Sequence, residues 1–564
     1  MSKLKFNKKH IYIISMIFLI ALFFLRIVFL DGDVPRFSLS CYQPVDEGIY
    51  GNLALNYVNF GSFNPNSFFG SNIITMNSQS MLNFIGNIFI LVGLKIFGDN
   101  YYGFRIPIVI TMFFIFFIIF LCFREIDKKY EIENKKEKLF FLFILVTNFI
   151  LYNASRIVEP TVFRMLFVSL ICYVFLKFDK NNKLRSFLIG LLTSISMFLV
   201  YITNSFLCIG FLFFIIYLYC INEKKKAKEC LAYGLLGIIL GCGVSQLYYS
   251  FWNTNFLANT FKMMNDFQGS SMYSFSQDNY LLSVLNRSLS FFTSNFMMFC
   301  PFFLIGIIIS IYKIKSIFKS NNERIIFSLF LIISLFFQTL ITEDFINRKI
   351  IVLLPILCIY FYEVLIISKN KKINVSKWMK MFLILFLSYL YIMKFFYGKE
   401  GYNDYNRTDI YIVILFFLLP SILLVVCSMF GKLNIKRIII FYILILSIGN
   451  VLFIYRYNFK HINFAERDAM ISLKEFDDEL ILGEYENGFT LYNHILPVLD
   501  TRERTYELMK TGKYQYYFDY ADVDGFLQST YPDTTFEKYK IIERKCPNQY
   551  GNNNMCVYKI SYSK

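Results

Sequence analysis

Apolar runs of roughly 17 to 22 residues recur along most of this chain, separated by short polar stretches, and each is long enough to cross a ~30 Å hydrocarbon core as a helix. The pattern predicts spans near 11–30, 105–123, 139–152, 161–178, 186–202, 205–221, 230–249, 290–312, 326–341, 350–368, 381–397, 410–430 and 438–455. One further run, "MLNFIGNIFILVGLKIF" at 81–97, decides the topology. If it spans, the later lysine-rich loops change sides. If it lies at the outer surface or dips into it, they all share a side with the basic amino terminus. The second arrangement is self-consistent. It predicts a polytopic α-helical membrane protein of about 13 transmembrane helices, with the amino terminus cytoplasmic and the carboxyl terminus extracytoplasmic. The polar segments 31–104, 152–160, 250–289, 341–349 and 398–409 then face outward. After 455 the pattern shifts to mixed sequence such as "DDELILGEYENG", where strand-like and helical runs alternate. This predicts a small external α/β domain over 456–564, following a membrane domain over 1–455.

Composition agrees with the membrane class. Of 564 residues, 56% are hydrophobic and 20% aromatic, well outside the usual range for soluble domains. A formal charge of +17 invites a nucleic-acid reading, but its lysines cluster in short inter-span loops such as "FREIDKKYEIENKKEK" and "NEKKKAKE". Topology accounts for them, and nucleic acid is not expected as a partner. "MSKLKFNKK" before the first run reads as the start of a retained anchor. The three histidines, His10, His461 and His494, all lie outside the apolar body, which excludes imidazole catalysis or zinc ligation there. Twelve cysteines are scattered without CxxC spacing. Cys546 and Cys556 bracket "PNQYGNNNM", a turn-rich hairpin, and read as a disulfide or as two free thiols. Gly237 and Gly241 form a GxxxG within one span, a signature of close helix packing.

Chemistry is sought where charge is costly. "YQPVDEGIYGNLAL" follows the first span and sets Asp46 and Glu47 between a proline and a segment with the look of an amphipathic interfacial helix. Two acids in an external loop are often only solvated. Here the pair is close to the membrane exit, another acid, Glu159, stands in "ASRIVEP", and Arg348 opens the span at "NRKIIVLLP". No glycine-rich nucleotide loop occurs, so a nucleotide-sugar or ATP site has no support.

The order of these motifs resembles the GT-C class of membrane glycosyltransferases, in particular the protein O-mannosyltransferase and lipid A aminoarabinose transferase families. Their first external loop carries an acid or an Asp-Glu pair, like "VDEGIYGNLALNYVNFGSF". A surface helix ending in an FG…RLP-like pattern is similar to "KIFGDNYYGFRIPIVI", and "ASRIVEPTVF" and "NRKIIVLLPIL" resemble the later motifs. The likeness covers roughly residues 1–370. One feature departs from it: many relatives carry a Lys-Pro-Pro-like stretch before the surface helix, where this chain reads "MNSQSMLNF".

The resemblance implies a polyprenyl-phosphate sugar as donor and a glycan, lipid or protein as acceptor, with no resident cofactor and a divalent cation left open. It aligns Asp46 with the general base that takes the acceptor proton, with Glu47 supporting it or holding the acceptor. A single base suits direct displacement with inversion better than a double displacement, which needs a second carboxylate as nucleophile ~5 Å away. Arg348 fits the leaving phosphate, since arginine offers a permanent charge and a bidentate fork. Arg105 is a second phosphate candidate, although it and Arg164 also read as snorkelling anchors. Glu159 binds acceptor or orients Asp46, or else pairs locally with Arg156. The competing classes are a transporter or flippase, which would place acids and helix breaks near the midplane of several spans, and a non-catalytic scaffold.

The parity argument makes a direct prediction. On a cysteine-free background, single cysteines near Asn100 and Gly525 are labelled by an impermeant reagent from outside; reaction only from the cytoplasmic side at both positions overturns the 13-span arrangement.

Overall fold

The computed structural model describes residues 8–39, 43–61, 83–251, 322–341, 350–368, 411–420, 435–483, 490–499, 516–519, 539–550 and 553–562, with 258, 422, 423 and 426. Most of these are helical. The helices are α1 (Lys8–Phe24), α2 (Arg36–Leu39), α3 (Gln43–Phe60), α4 (Phe84–Phe97), α5 (Tyr101–Lys129), α6 (Lys135–Thr147), α7 (Phe149–Ala154), α8 (Pro160–Lys177), α9 (Asn182–Leu199), α10 (Ser205–Cys220) and α11 (Lys224–Ser250). Four more follow: α12 (Glu323–Ile341), α13 (Leu354–Ser368), α14 (Ile435–Tyr455) and α15 (Ala465–Ser472). Among the described residues, four stretches are long and apolar enough to cross a membrane: Tyr101–Lys129, Pro160–Lys177, Ile202–Cys220 and Lys224–Ser250. Shorter apolar helices occupy Tyr12–Ile27, Phe84–Phe97 and Ile351–Val364. The expected spans at 290–312 and 381–397 lie outside the described residues.

The helix α5 sets the scale of the molecule. Its Arg105 and Asp127 stand ~33 Å apart at ~1.5 Å per residue, close to the ~30 Å core of a bilayer. Charge is gathered at both ends. At the Asp127 end, Lys138 Nζ meets the Asp127 carboxylate at 2.8 Å, and the Tyr362 hydroxyl donates to it at 2.7 Å. Beside them, Arg324 bridges to Asp179 at 3.0 Å, and Lys226 pairs with Glu323. These groups come from the lysine-bearing loops. Between the two ends lies the apolar core, with stacked Phe175 and Phe327 rings 3.8 Å apart.

Two expected elements differ in detail. The span read at 139–152 is two helices, broken at Asn148, whose backbone is extended and whose side chain accepts from Leu151 N at 3.0 Å to cap α7. A side chain that satisfies a free N–H in this way starts a new helix rather than continuing the old one. The segment after Glu47 is not an interfacial helix with one wet face. Residues 51–56 of α3 are all buried, and Asn87 of α4 is wedged into its backbone ladder. Asn87 accepts from Ala54 N at 3.1 Å and donates to Tyr50 O at 2.8 Å, taking both partners of one helical hydrogen bond. Insertion of this kind bends a helix.

The described strands form one sheet in the order β2-β1-β3-β5-β4, from β1 (Leu480–Gly483), β2 (Leu496–Leu499), β3 (Tyr516–Asp519), β4 (Tyr539–Tyr550) and β5 (Asn553–Tyr562). β1 runs parallel to β2 and β3, whereas β5 is antiparallel to β3 and β4, with Tyr550 opposite Asn553 at the end of the β4–β5 pair. The side chains of Cys546 and Cys556 lie outside the described residues.

The GxxxG glycines sit where α9 and α11 touch. A Cβ built on Gly190 meets the carbonyl of Gly234, and one on Gly237 meets the carbonyl of Phe187, whereas one on Gly243 meets nothing within 4 Å. Gly237→Leu therefore lowers stability by about 1–3 kcal/mol through overpacking, while Gly243→Ala leaves it unchanged or slightly raised. Thermal unfolding of both variants in one detergent checks this; equal effects would remove the close contact as the reason for the motif.

Candidate active site

The "FGDNYYGFRIP" stretch builds a tight corner between α4 and α5. Gly98 has φ +90°, a left-handed conformation that glycine adopts without cost. Asn100 caps α5 by accepting from Gly103 N at 3.0 Å. Gly103 lies so close to α4 that a Cβ there would meet the carbonyl of Gly98. The corner points the first turn of α5 into the protein. Tyr101 and Arg105, one turn apart, share a face, with the guanidinium carbon 3.7 Å from the Tyr101 ring centroid.

Arg105 does not snorkel. Its side chain is fully buried, and its donors are committed to protein groups. Nε and Nη2 grip the two oxygens of Glu47 at 2.9 and 2.7 Å, and Nη1 donates to the carbonyls of Leu30 and Gly32 at 2.9 and 3.1 Å. Nη2 also lies 3.7 Å from Glu466, a residue far along the chain. The expected donor-phosphate contact from Arg105 is thus replaced by an internal ion pair, because a carboxylate with the matching two-oxygen geometry stands opposite.

Glu47 is buried in that pair. Its Oε1 accepts a second bond, from Val158 N at 2.9 Å, which draws the first turn of α3 against the 155–159 segment. Asp46 is the preceding residue of the same helical turn; its side chain lies outside the described residues, as does Arg348. Glu159 is buried at the start of α8, next to Val158, and accepts from Thr161 Oγ1 at 3.3 Å. The helix N-terminus favours its negative charge. Arg156, expected beside Glu159, donates instead to Asn458 Oδ1 and to the Phe29 carbonyl. Arg164 is also buried, one turn and a half into α8. It donates to Asn204 Oδ1 at 3.0 Å and Gln338 Oε1 at 2.9 Å, with its guanidinium carbon 5.3 Å from the Tyr201 ring centroid. For Arg164 too, burial between neutral amides overturns the snorkelling reading.

The structure adds acids and a helix that the sequence reading did not single out. Asp31 and Asp33 follow the first span, and Asp33 caps α15, accepting from Ala465 N at 3.0 Å and Glu466 N at 3.3 Å. Arg467 Nη1 meets Asp31 at 2.7 Å. Burial pushes the Asp33 carboxyl up to about 7, against the pull of Arg105 and of the two backbone N–H groups. Asp99, in the α4–α5 corner, is pushed up to about 6 by burial, with His494 opposing. The signal was present in "FLDGDVP": these acids stand at the same membrane exit as Asp46 and Glu47. Among the described residues no group of three or more His, Cys, Asp or Glu is arranged to hold a metal ion.

Residues 84–249, from α4 through α11, match the family model for dolichyl-phosphate-mannose-protein mannosyltransferase. No curated protein matches the sequence. Among solved structures, the crystal structure of ArnT from Cupriavidus metallidurans bound to undecaprenyl phosphate superposes with a TM-score of 0.57 at 10% identity, covering 98% of each chain. Its apo form gives 0.55 at 10% identity over 97% of each. The Archaeoglobus fulgidus oligosaccharyltransferase gives 0.47 at 10% identity, over 93% of this chain and 71% of that one. At such identity the likeness is one of fold.

The geometry makes Glu47 a structural partner of Arg105. Glu47→Gln keeps the shape, removes the charge and is expected to destabilise the protein by about 3 kcal/mol, within the usual cost of breaking a buried ion pair. Thermal or denaturant unfolding in detergent reads it. A loss below ~0.5 kcal/mol would mean that the pair is exposed to water in solution.

Proposed function

We propose that this chain, whose fold is that of the GT-C membrane glycosyltransferases, transfers a sugar from a polyprenyl-phosphate donor to an acceptor hydroxyl or phosphate at the outer face of the membrane. The observation that carries the reading is the bond from Val158 N to Glu47. It joins the helical turn of Asp46 to the segment of Glu159, so two acid-bearing stretches from separate loops meet at one end of the bundle. Undecaprenyl phosphate in the crystal structure of ArnT supports a polyprenyl-phosphate donor, as does the family matched by 84–249. The 13-span arrangement and the external placement of 456–564 belong to the same proposal.

In this reading the roles divide by commitment. Glu47 is engaged by a guanidinium and a backbone N–H, so it holds the loop and does not exchange protons. Consecutive residues of an α-helix diverge by about 100°, which puts Asp46 at a different position around α3, and Asp46 takes the acceptor proton as the sugar leaves phosphate. Arg348 and Arg164 hold the leaving phosphate. Arg164 is suited because the oxygens it hydrogen-bonds are neutral amides, which hold the guanidinium without neutralising it. Glu159 orients the acceptor. Displacement is direct and inverts the anomeric centre.

Radiolabelled polyprenyl-phosphate sugars incubated with the purified protein test the reading. Asp46→Asn lowers turnover by ~10²-fold or more and leaves donor affinity nearly intact. Near-normal turnover in that variant would remove Asp46 as the base.

A further inference from the structure

The segment after the last described span returns to the first loop and packs against it throughout. The Phe29 ring meets those of Phe459 and Phe464, with centroids 6.1 and 6.3 Å apart. Phe29 itself is held at φ +53°, a conformation costly for a bulky residue unless its surroundings enforce it. A Cβ on Gly32 would run into Ile462. Asp33 N donates to Asn463 O at 2.8 Å, and the Asp33 carboxylate then caps α15. Glu466, the second residue of α15, is fully buried and accepts from the Tyr101 hydroxyl at 3.0 Å. Tyr492, further along, accepts at its hydroxyl from Tyr101 N at 3.1 Å.

These contacts converge on one nitrogen. Arg105 Nη2 lies 2.7 Å from Glu47 and 3.7 Å from Glu466. A continuous path therefore runs from α15 through Glu466, Arg105 and Glu47 to Val158 N.

We infer that α15 is a brace for the catalytic loop, and that Glu466 is a positioning residue that acts through Arg105 and Glu47 to set where the first turn of α3, with Asp46, stands. The inference rests on the proposed transfer reaction for its functional consequence, but the mechanical coupling is readable without it.

Stability alone does not explain Glu466. Arg105 already has a matched carboxylate in Glu47. Glu466 brings a second buried carboxylate to the same guanidinium, and like charges gathered out of water are unfavourable. A glutamine at 466 would keep the volume and the bond from Tyr101 while relieving that repulsion. What it would lose is the charge that pulls Arg105 toward α15.

The test is Glu466→Gln in the full chain, with three measurements. Thermal stability is expected to be unchanged or raised. Amide hydrogen exchange over 43–60 is expected to increase, because Arg105, which holds Glu47, loses its charged tie to α15. Turnover with a radiolabelled polyprenyl-phosphate sugar is expected to fall about tenfold or more, as small misplacement of a reacting group does, while the donor KM stays within about twofold. Arg467→Gln, at the exposed edge of the brace, gives a second reading with the buried charges intact, and changes exchange and turnover in the same direction by less. Unchanged exchange over 43–60 in both variants overturns the brace, whatever the turnover. Increased exchange with full turnover overturns the positioning role. Increased exchange in a chain whose parent transfers no sugar from any polyprenyl-phosphate donor sustains the coupling and rejects the proposed reaction.

Discussion

Burying a guanidinium carries a desolvation cost that its partners must offset, and Arg105 meets that demand from four directions. Its partners are carbonyls of the turn that follows the first membrane helix, a carboxylate on α3, a carboxylate on α15 and the ring of Tyr101 on its own helix. Two of these stretches are not held firmly by local sequence. The 30–33 segment is a turn with a strained Phe29, and α15 is eight residues long, too short to be stable alone. Each gains a defined place by satisfying the same charge. The tight α4–α5 corner is what makes the charge available, because it fixes the first turn of α5 at the edge of the bundle and turns it inward.

The opposite end of the bundle solves a similar problem in a different way. There Asp127, Lys138 and Tyr362 are themselves buried and satisfy one another, while pairs beside them such as Lys128 with Glu125 are more open, and solvent shares the cost of those charges. The Arg105 end gathers its groups on a single guanidinium. This asymmetry is expected if one face serves only to place the helices in the bilayer while the other must hold reactive groups in register. Pre-organised charge at a site costs stability and is retained where chemistry uses it.

Much of the architecture was legible in the pattern of apolar runs, because hydrophobic length is a local property. α5, α8, α10 and α11 stand where the runs place them. The first-loop acids and the arginine of the FG…RIP stretch could also be picked out, since charge beside a membrane is conspicuous in a sequence. What could not be read was commitment. Whether Glu47 reacts or holds depends on Arg105, 58 positions away, and on Val158, 111 positions away. Arg105 and Arg164 resembled snorkelling anchors because sequence shows how near a span edge a residue lies, not whether a partner from another helix closes over it. The break at Asn148 was hidden for the same reason that it works: an asparagine amid apolar residues reads as part of the run until its side chain is seen capping a backbone N–H.

The cap on α15 also has a consequence in time. Asp33 and Ala465 are separated by 432 positions, and at ~5–20 residues per second of synthesis the first loop waits roughly 20 seconds to a minute and a half for its partner to emerge. Throughout that interval the first helices can enter the bilayer, yet Arg105 lacks Glu466 and the 30–33 turn lacks what holds it. An unfinished chain, or one cut short before α15, is thus a membrane-inserted protein with an unset loop. The brace on the first loop is thus set only after α15 has emerged, so a nascent chain spends most of its synthesis without it.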